Sequence, residues 1–140
     1  MLLPDVHILV AAYLADDAPK QARRAWLLEL ANGGERFAVS ELVLASFLRI
    51  VTNPRVFAAS GSAPYAFVEA LTGARGCVRL RPGPENWAIF TTLCRQTGFR
   101  GPILSDLCHA ALAIEHDCEW VSDDEDFARV PGLRWRAPAL

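Results

Sequence analysis

Lysine is almost absent from this chain: of its 14 basic residues only Lys20 is not arginine. There is also no CxxC pair among Cys77, Cys94, Cys108 and Cys118, and no basic residue ahead of the apolar opening. Each absence removes a class. Without a secretion signal or paired spacing, a disulfide framework is not expected, and free buried thiols are. A zinc site from Cys108, His109, His116 and Cys118 matches no usual zinc-module spacing. Pro4, Asp5 and His7 break the opening apolar run, so it reads as neither signal peptide nor membrane span, and a cytoplasmic location follows. No internal repeat or low-complexity segment is present. A net charge of -2 argues against a general nucleic-acid coat protein. The basic residues that do occur are arginines, the better bidentate phosphate ligands.

What remains is a globular composition, 52% hydrophobic and 21% charged over 140 residues. That length and balance suit one domain with a single core, spanning residues 1–140. Short buried strands are predicted at Leu2–Pro4, Phe37–Val39, Val78–Leu80 and Glu119–Val121, with an edge strand at Leu133–Trp135. Helices are predicted at Val6–Leu14, from the Asp16-Asp17-Pro19 turn to Asn32, from the Ser40 cap to Val51, at Tyr65–Leu71, at Glu85–Thr97 closed by Gly98, and from Ser105 onward as its cap. A loop is expected from Ala58 to Pro64. Strands alternating with helices imply an α/β fold, a mostly parallel sheet of four to five strands covered on both faces.

The chemistry lies in acids set into apolar sequence. Asp5 sits in MLLPDVHILV, Glu41 in VSELVLASFL, Asp106 in LSDLCHAALAI, and Asp124 with Asp126 in WVSDDEDF. Buried acids are costly unless paired or bound to a cation, and no Lys or Arg stands beside the first three in sequence. Glu41 and Asp106 each have a competing explanation as first-turn acids that complement a helix dipole. Asp5 has no such obvious duty, because Leu3, Val6 and Ile8 surround it. The acidic run at 123–126 has the ordinary alternative of a solvated turn. In a parallel sheet, sites form outside the carboxyl ends of the strands; Asp5 and Asp124 follow strands directly, and Glu41 and Asp106 open helices able to line the same edge, so the four can converge. Hard oxygen donors of this kind suit Mg²⁺ or Mn²⁺, held by a few carboxylates together with substrate phosphates.

Three strings, PDVHILVAA, SELVLASFLRIVTNPRVF and LSDLCHAALAIEHDCEWVSDDEDFARVPGLRW, follow in this order along nearly the whole chain. Together they resemble the PIN-domain ribonucleases, and within them the VapC toxins of VapBC toxin–antitoxin modules. The resemblance implies a three-layer α/β/α fold and an Mg²⁺-dependent endoribonuclease that cuts RNA, tRNA or rRNA, to inhibit translation, with Mn²⁺ able to substitute. It makes Asp5, Glu41, Asp106 and Asp124 the catalytic, metal-binding quartet, Asp126 a fifth acid, and Ser122 a supporting hydroxyl. It also implies a VapB-type antitoxin, a homodimer, and a heterotetramer or larger assembly with that antitoxin.

Two departures from the family pattern affect the surroundings of the acids. His7 stands where Asn is usual, with a local hydrogen bond as its expected job. Asp106-Leu107-Cys108-His109 replaces the frequent Asp-Ala-His-Leu. Arg49 and Arg55, with Thr52 and Asn53, read either as helix surface and cap or as RNA or antitoxin contacts. Trp26, Trp87, Trp120 and Trp135 are expected in packing rather than in base stacking. The alternatives in function are a PIN-like RNA- or protein-binding scaffold without nuclease activity, whose mark would be a lost acid, and a phosphate-accepting receiver, which needs a late lysine that this chain lacks.

Overall fold

The computed structural model of the chain describes residues 1–57 and 61–140. Its strands are β1 (Leu2–Pro4), β2 (Phe37–Ser40), β3 (Cys77–Leu80), β4 (Glu119–Val121) and β5 (Arg134–Arg136). Its helices are α1 (Val6–Leu14), α2 (Ala18–Asn32), α3 (Glu41–Val51), α4 (Ala63–Thr72), α5 (Asn86–Thr97) and α6 (Leu104–Glu115), with 3₁₀ turns at Gly101–Ile103 and Glu125–Arg129. The predicted order is therefore the observed one, and the differences are local. Residues 58–60 of the expected loop lie outside the described residues, and its end at Ala63 and Pro64 already belongs to α4. Proline in a first helical turn gives up only a donor that has no partner there. The last strand runs one residue later than expected.

All four strand pairings are parallel, in the order β3-β2-β1-β4-β5. Parallel pairs need crossovers, and crossovers are right-handed. From β1 the chain steps outward through β2 to β3, which places α1 to α4 on one face. It then returns through α5 and α6 to β4 on the other side of β1, which places those two helices on the opposite face. The result is the expected three layers. The direction of winding reverses between β1 and β4, where the crevice at the carboxyl ends of an open sheet forms.

Burial follows from this topology. β2, with the sequence FAVS, is buried at all four positions, as a strand covered on both faces must be. Trp120 of β4 is completely buried between His109 and Phe127, and Tyr13, Phe47 and Phe67 interlock between α1, α3 and α4. Trp26 is also buried, and Trp135 is half-buried with its indole N–H donating to Ser122 O at 3.1 Å. Trp87 is 72% exposed, its ring 5.6 Å from that of Phe90. Cys118 is buried and the other three cysteines half-buried, all as free thiols.

One tight approach fixes the start of β2. Gly76 O accepts a hydrogen bond from Phe37 N at 3.0 Å, and a Cβ at Gly76 would run into the backbone carbonyl of Glu35. Backbone, unlike a flexible side chain, cannot swing away. Gly76→Ala is expected to cost on the order of 2–4 kcal/mol, read as a lowered midpoint in urea unfolding with an unchanged slope.

Candidate active site

The acids are placed by the strand ends. β1 stops after Pro4, and Asp5 caps α1: its Oδ1 accepts from Val6 N at 2.6 Å, while its Oδ2 accepts from the Ser122 hydroxyl at 2.6 Å. Asp5 is only 3% exposed and Ser122 not at all. So Asp5 has a capping duty after all, one that an apolar neighbourhood in sequence conceals. Ser122, just past β4, serves two groups, because its oxygen also accepts from Asp124 N at 3.1 Å. Asp124 in turn caps the following 3₁₀ turn, its Oδ1 accepting from Asp126 N at 2.9 Å.

Asp106 approaches from α6, on the opposite face. The expected Ser105 cap is not found: α6 begins at Leu104, straight out of the 3₁₀ turn, and the Ser105 hydroxyl donates to Pro102 O at 2.8 Å. The Gly101-Pro102 turn starts the helix earlier than a serine cap would. Asp106 still lies in the first turn. Its pKa is pushed above the ordinary aspartate range, first by burial and then by the charges of Asp124 and Asp5. These neighbours establish that the acids share one electrostatic field.

Asp5, Asp106 and Asp124 line a single cavity of about 190 Å³ at the reversal between β1 and β4. Its other walls carry His7 from α1, Ser46 and Arg49 from α3, and Ser105 and His109 from α6. Asp126 lies beside this cavity rather than on it, in a small recess shared with Asp106, Asp124, Phe99 and Phe127. Its carboxylate stands 3.6 Å from Arg129.

Glu41 does not line the cavity. Its carboxylate is 2.8 Å from Arg81 Nε, with 40% of the side chain exposed, instead of opening the apolar stripe of α3. Arg81 follows β3 directly, and the pairing of Leu80 with Ser40 brings it beside the first turn of α3. The acid therefore has the cation that its own sequence neighbourhood lacks.

His7 is exposed, and among the described residues it has no hydrogen-bond partner, so the local bond expected of it is not made. Arg49 reaches the cavity wall. Arg55 does not; its backbone N–H donates to Asn53 Oδ1 at 3.0 Å in a tight turn past α3. Sequence reasoning missed Ser46, and it weighed His109 only as a zinc ligand and as a departure from the family pattern, not as a wall of this cavity. Their signal was periodic: Ser46 precedes Arg49 by three residues and His109 follows Asp106 by three, which places each pair on one helix face.

Among the described residues no three carboxylate, imidazole or thiol groups form a finished cation cage. The donor set is nevertheless all-oxygen and crowded with like charge, as suits a hard divalent ion that keeps several waters and takes few protein ligands.

Comparison with known proteins places the family and the fold. The family model of the PIN domain matches residues 2–133. Ribonuclease VapC43 of Mycobacterium tuberculosis is 41% identical over 140 residues, covering 99% of this chain and 95% of that protein. Ribonuclease VapC31 of the same organism is 36% identical over 142 residues, covering all of both. The VapBC2 complex of Rickettsia felis contains a chain of the same fold, with a TM-score of 0.74 at 18% identity and 97% coverage of each chain. The chain belongs to the PIN-domain family, among the VapC ribonucleases.

Proposed function

We infer that this chain is the ribonuclease toxin of a type II toxin–antitoxin module, cleaving RNA with Mg²⁺ or Mn²⁺ held by Asp5, Asp106 and Asp124. The carrying observation is the arrival of those three carboxylates, from three separate elements on both faces of the sheet, at one cavity. The VapC relatives are named ribonucleases, and a cluster of oxygen donors suits a hard divalent ion, which together support the reading. A bound ion would supply an activated water and neutralise charge gathering on the phosphate.

The protein contributes position. Ser122 fixes the Asp5 carboxylate and the Asp124 backbone together, so two walls of the site share one anchor. Arg49 offers a guanidinium to a backbone phosphate on the opposite wall. Glu41 would join the acids only on release from Arg81, and Asp126 would join as an outer acid behind Asp124.

The test is cleavage of total bacterial RNA. Activity is expected to stop in EDTA and return with Mg²⁺ or Mn²⁺ but not with Ca²⁺, whose loose coordination fits in-line displacement poorly. The products should carry 5′-phosphate and 3′-hydroxyl ends. Full activity in EDTA, or cyclic 2′,3′-phosphate ends, would refute the mechanism.

A VapB-type antitoxin is the expected partner, since the related folds were solved as VapBC assemblies. α1 and α2 pack tightly on each other, so the open apolar groove lies between α2 and α4 instead of between α1 and α2. Leu27, Leu28, Phe67 and Leu71 line it, with a volume of about 480 Å³. A short amphipathic tail fits such a groove, and a basic side chain from it would be drawn to the acid cavity. Co-expression with the small protein encoded next to it should yield a complex with suppressed cleavage. Reversing the charge of the tail's basic residue should restore cleavage without dissolving the complex. A chain indifferent to that neighbour and harmless when overproduced would not be a toxin. In solution a homodimer is expected.

A further inference from the structure

The remaining wall of the acid cavity holds a group that the mechanism above does not use. His109 is 9% exposed, stacked on Trp120 with ring centroids 5.4 Å apart at 15°, among the buried α6 residues Leu107, Ala110, Ala111 and Leu112. An imidazole amid such neighbours is costly to bury unless it is used. Its Nδ1 is sealed from solvent without a hydrogen-bond partner. Of the two neutral tautomers, the one with its proton on Nδ1 would bury an N–H donor with nothing to accept it. The better one leaves Nδ1 as a bare acceptor and carries the proton on Nε2. The ring lines the same cavity as Asp5, Asp106 and Asp124, so the nitrogen left to meet its contents is Nε2. Burial also holds the imidazole below its ordinary pKa, against the pull of Asp5, which keeps it neutral at pH 7.

We propose that His109 is a substrate-contacting residue whose Nε2–H donates a hydrogen bond to a non-bridging oxygen of the RNA phosphate seated among Asp5, Asp106 and Asp124. The proposal rests on the ribonuclease reading and deepens it. Three carboxylates repel a phosphate and are of use only through a cation, so the phosphate's remaining oxygens need neutral or positive donors. Arg49 supplies charge from α3, and His109 supplies a fixed donor from α6, one turn beyond Asp106. Because the ring is held by Trp120, the donor needs little reordering when the phosphate arrives.

Two amides separate the two ring nitrogens. The amide nitrogen of His109→Gln reaches near the position of Nε2, whereas that of His109→Asn reaches only near Nδ1; His109→Leu keeps the packing on Trp120 and no donor. With total RNA and Mn²⁺, Gln should remain within about 3-fold of wild type, while Asn and Leu fall about 10- to 100-fold. All three should bind Mn²⁺ with wild-type affinity. Independently, long-range ¹H–¹⁵N spectra of the wild-type imidazole should show the Nε2–H tautomer, and its Nε2 signal should shift on titration with adenosine 5′-monophosphate in Ca²⁺. Equal activity of Asn and Gln, an active Leu variant, an Nδ1–H tautomer, or a silent Nε2 signal would each overturn the role of His109. Should Leu fail to fold, the Gln and Asn pair and the spectra still decide. A wild type that cleaves no RNA overturns the ribonuclease reading instead, so the two failures are distinct.

Discussion

Asp106→Asn should lose RNA cleavage by about 10³-fold or more, and yet the metal-free protein should be at least as stable as wild type at pH 7. The two halves of this result have one cause. Asp106 stands half-buried at the head of α6 facing Asp124 and Asp5, and both burial and those charges favour its protonated form. A carboxyl whose folded pKa lies above its unfolded one contributes stability below the unfolded value, about pH 4, and loses it as pH rises through the folded value. At pH 7 the charged group is therefore a net cost to the metal-free fold, which a divalent ion would offset. Asparagine is isosteric, carries no charge and removes that cost together with the ligand. In EDTA, the melting temperature of the variant relative to wild type should be highest at pH 7 and decline toward pH 4. A variant clearly destabilised at pH 7, or one that still cleaves RNA, would make Asp106 a structural acid.

Much of this fold was legible because its punctuation is local. Gly98, at φ 66, ends α5 in the left-handed region where glycine is favoured, and Ser40 accepts from Val43 N at 3.0 Å to start α3. Signals like these depend on a few neighbouring residues, so a single sequence carries them. The start of α6 was misplaced because two local signals compete there. Ser105 has the chemistry of a cap, but Gly101 and Pro102 turn the chain first, and the serine becomes an interior residue.

The site was legible only as a set of acids. That three of them share a cavity follows from strand order, which local patterns do not encode. Glu41 shows the cost of this blindness. Its chain neighbours predict an inward acid, yet the register of β3 against β2 delivers Arg81 to it from forty residues away in sequence. Ser122 likewise acquires its partner across 117 residues. His109 was hidden for another reason. In sequence it stands among cysteines and a second histidine that suggest only a zinc site of unusual spacing, and only the unpartnered Nδ1 and the cavity beside the ring show its place.

Asp5 should behave unlike Asp106, although both are expected to hold the same ion. Asp5→Ala is expected to abolish cleavage and also to destabilise the protein by about 2–4 kcal/mol, since its two carboxylate oxygens are both committed inside the fold. One caps α1 through Val6 N, an interaction that commonly contributes about 1 kcal/mol. The other receives the fully buried Ser122 hydroxyl, which after the substitution has lost its acceptor among apolar neighbours. Ser122→Ala removes the other side of this contact and frees the Asp124 N–H, so a loss of about 1–2 kcal/mol is expected, with weaker cleavage because both acids lose their shared anchor. The double variant should be less destabilised than the sum of the two singles, as residues in one hydrogen-bonded unit are coupled. Urea unfolding of all four proteins in EDTA measures this directly. Strict additivity would mean that Asp5 and Ser122 do not form the shared anchor. An Asp5→Ala protein as stable as wild type would show that like-charge relief outweighs both hydrogen bonds, and that Asp5, like Asp106, is held in place chiefly for the cation.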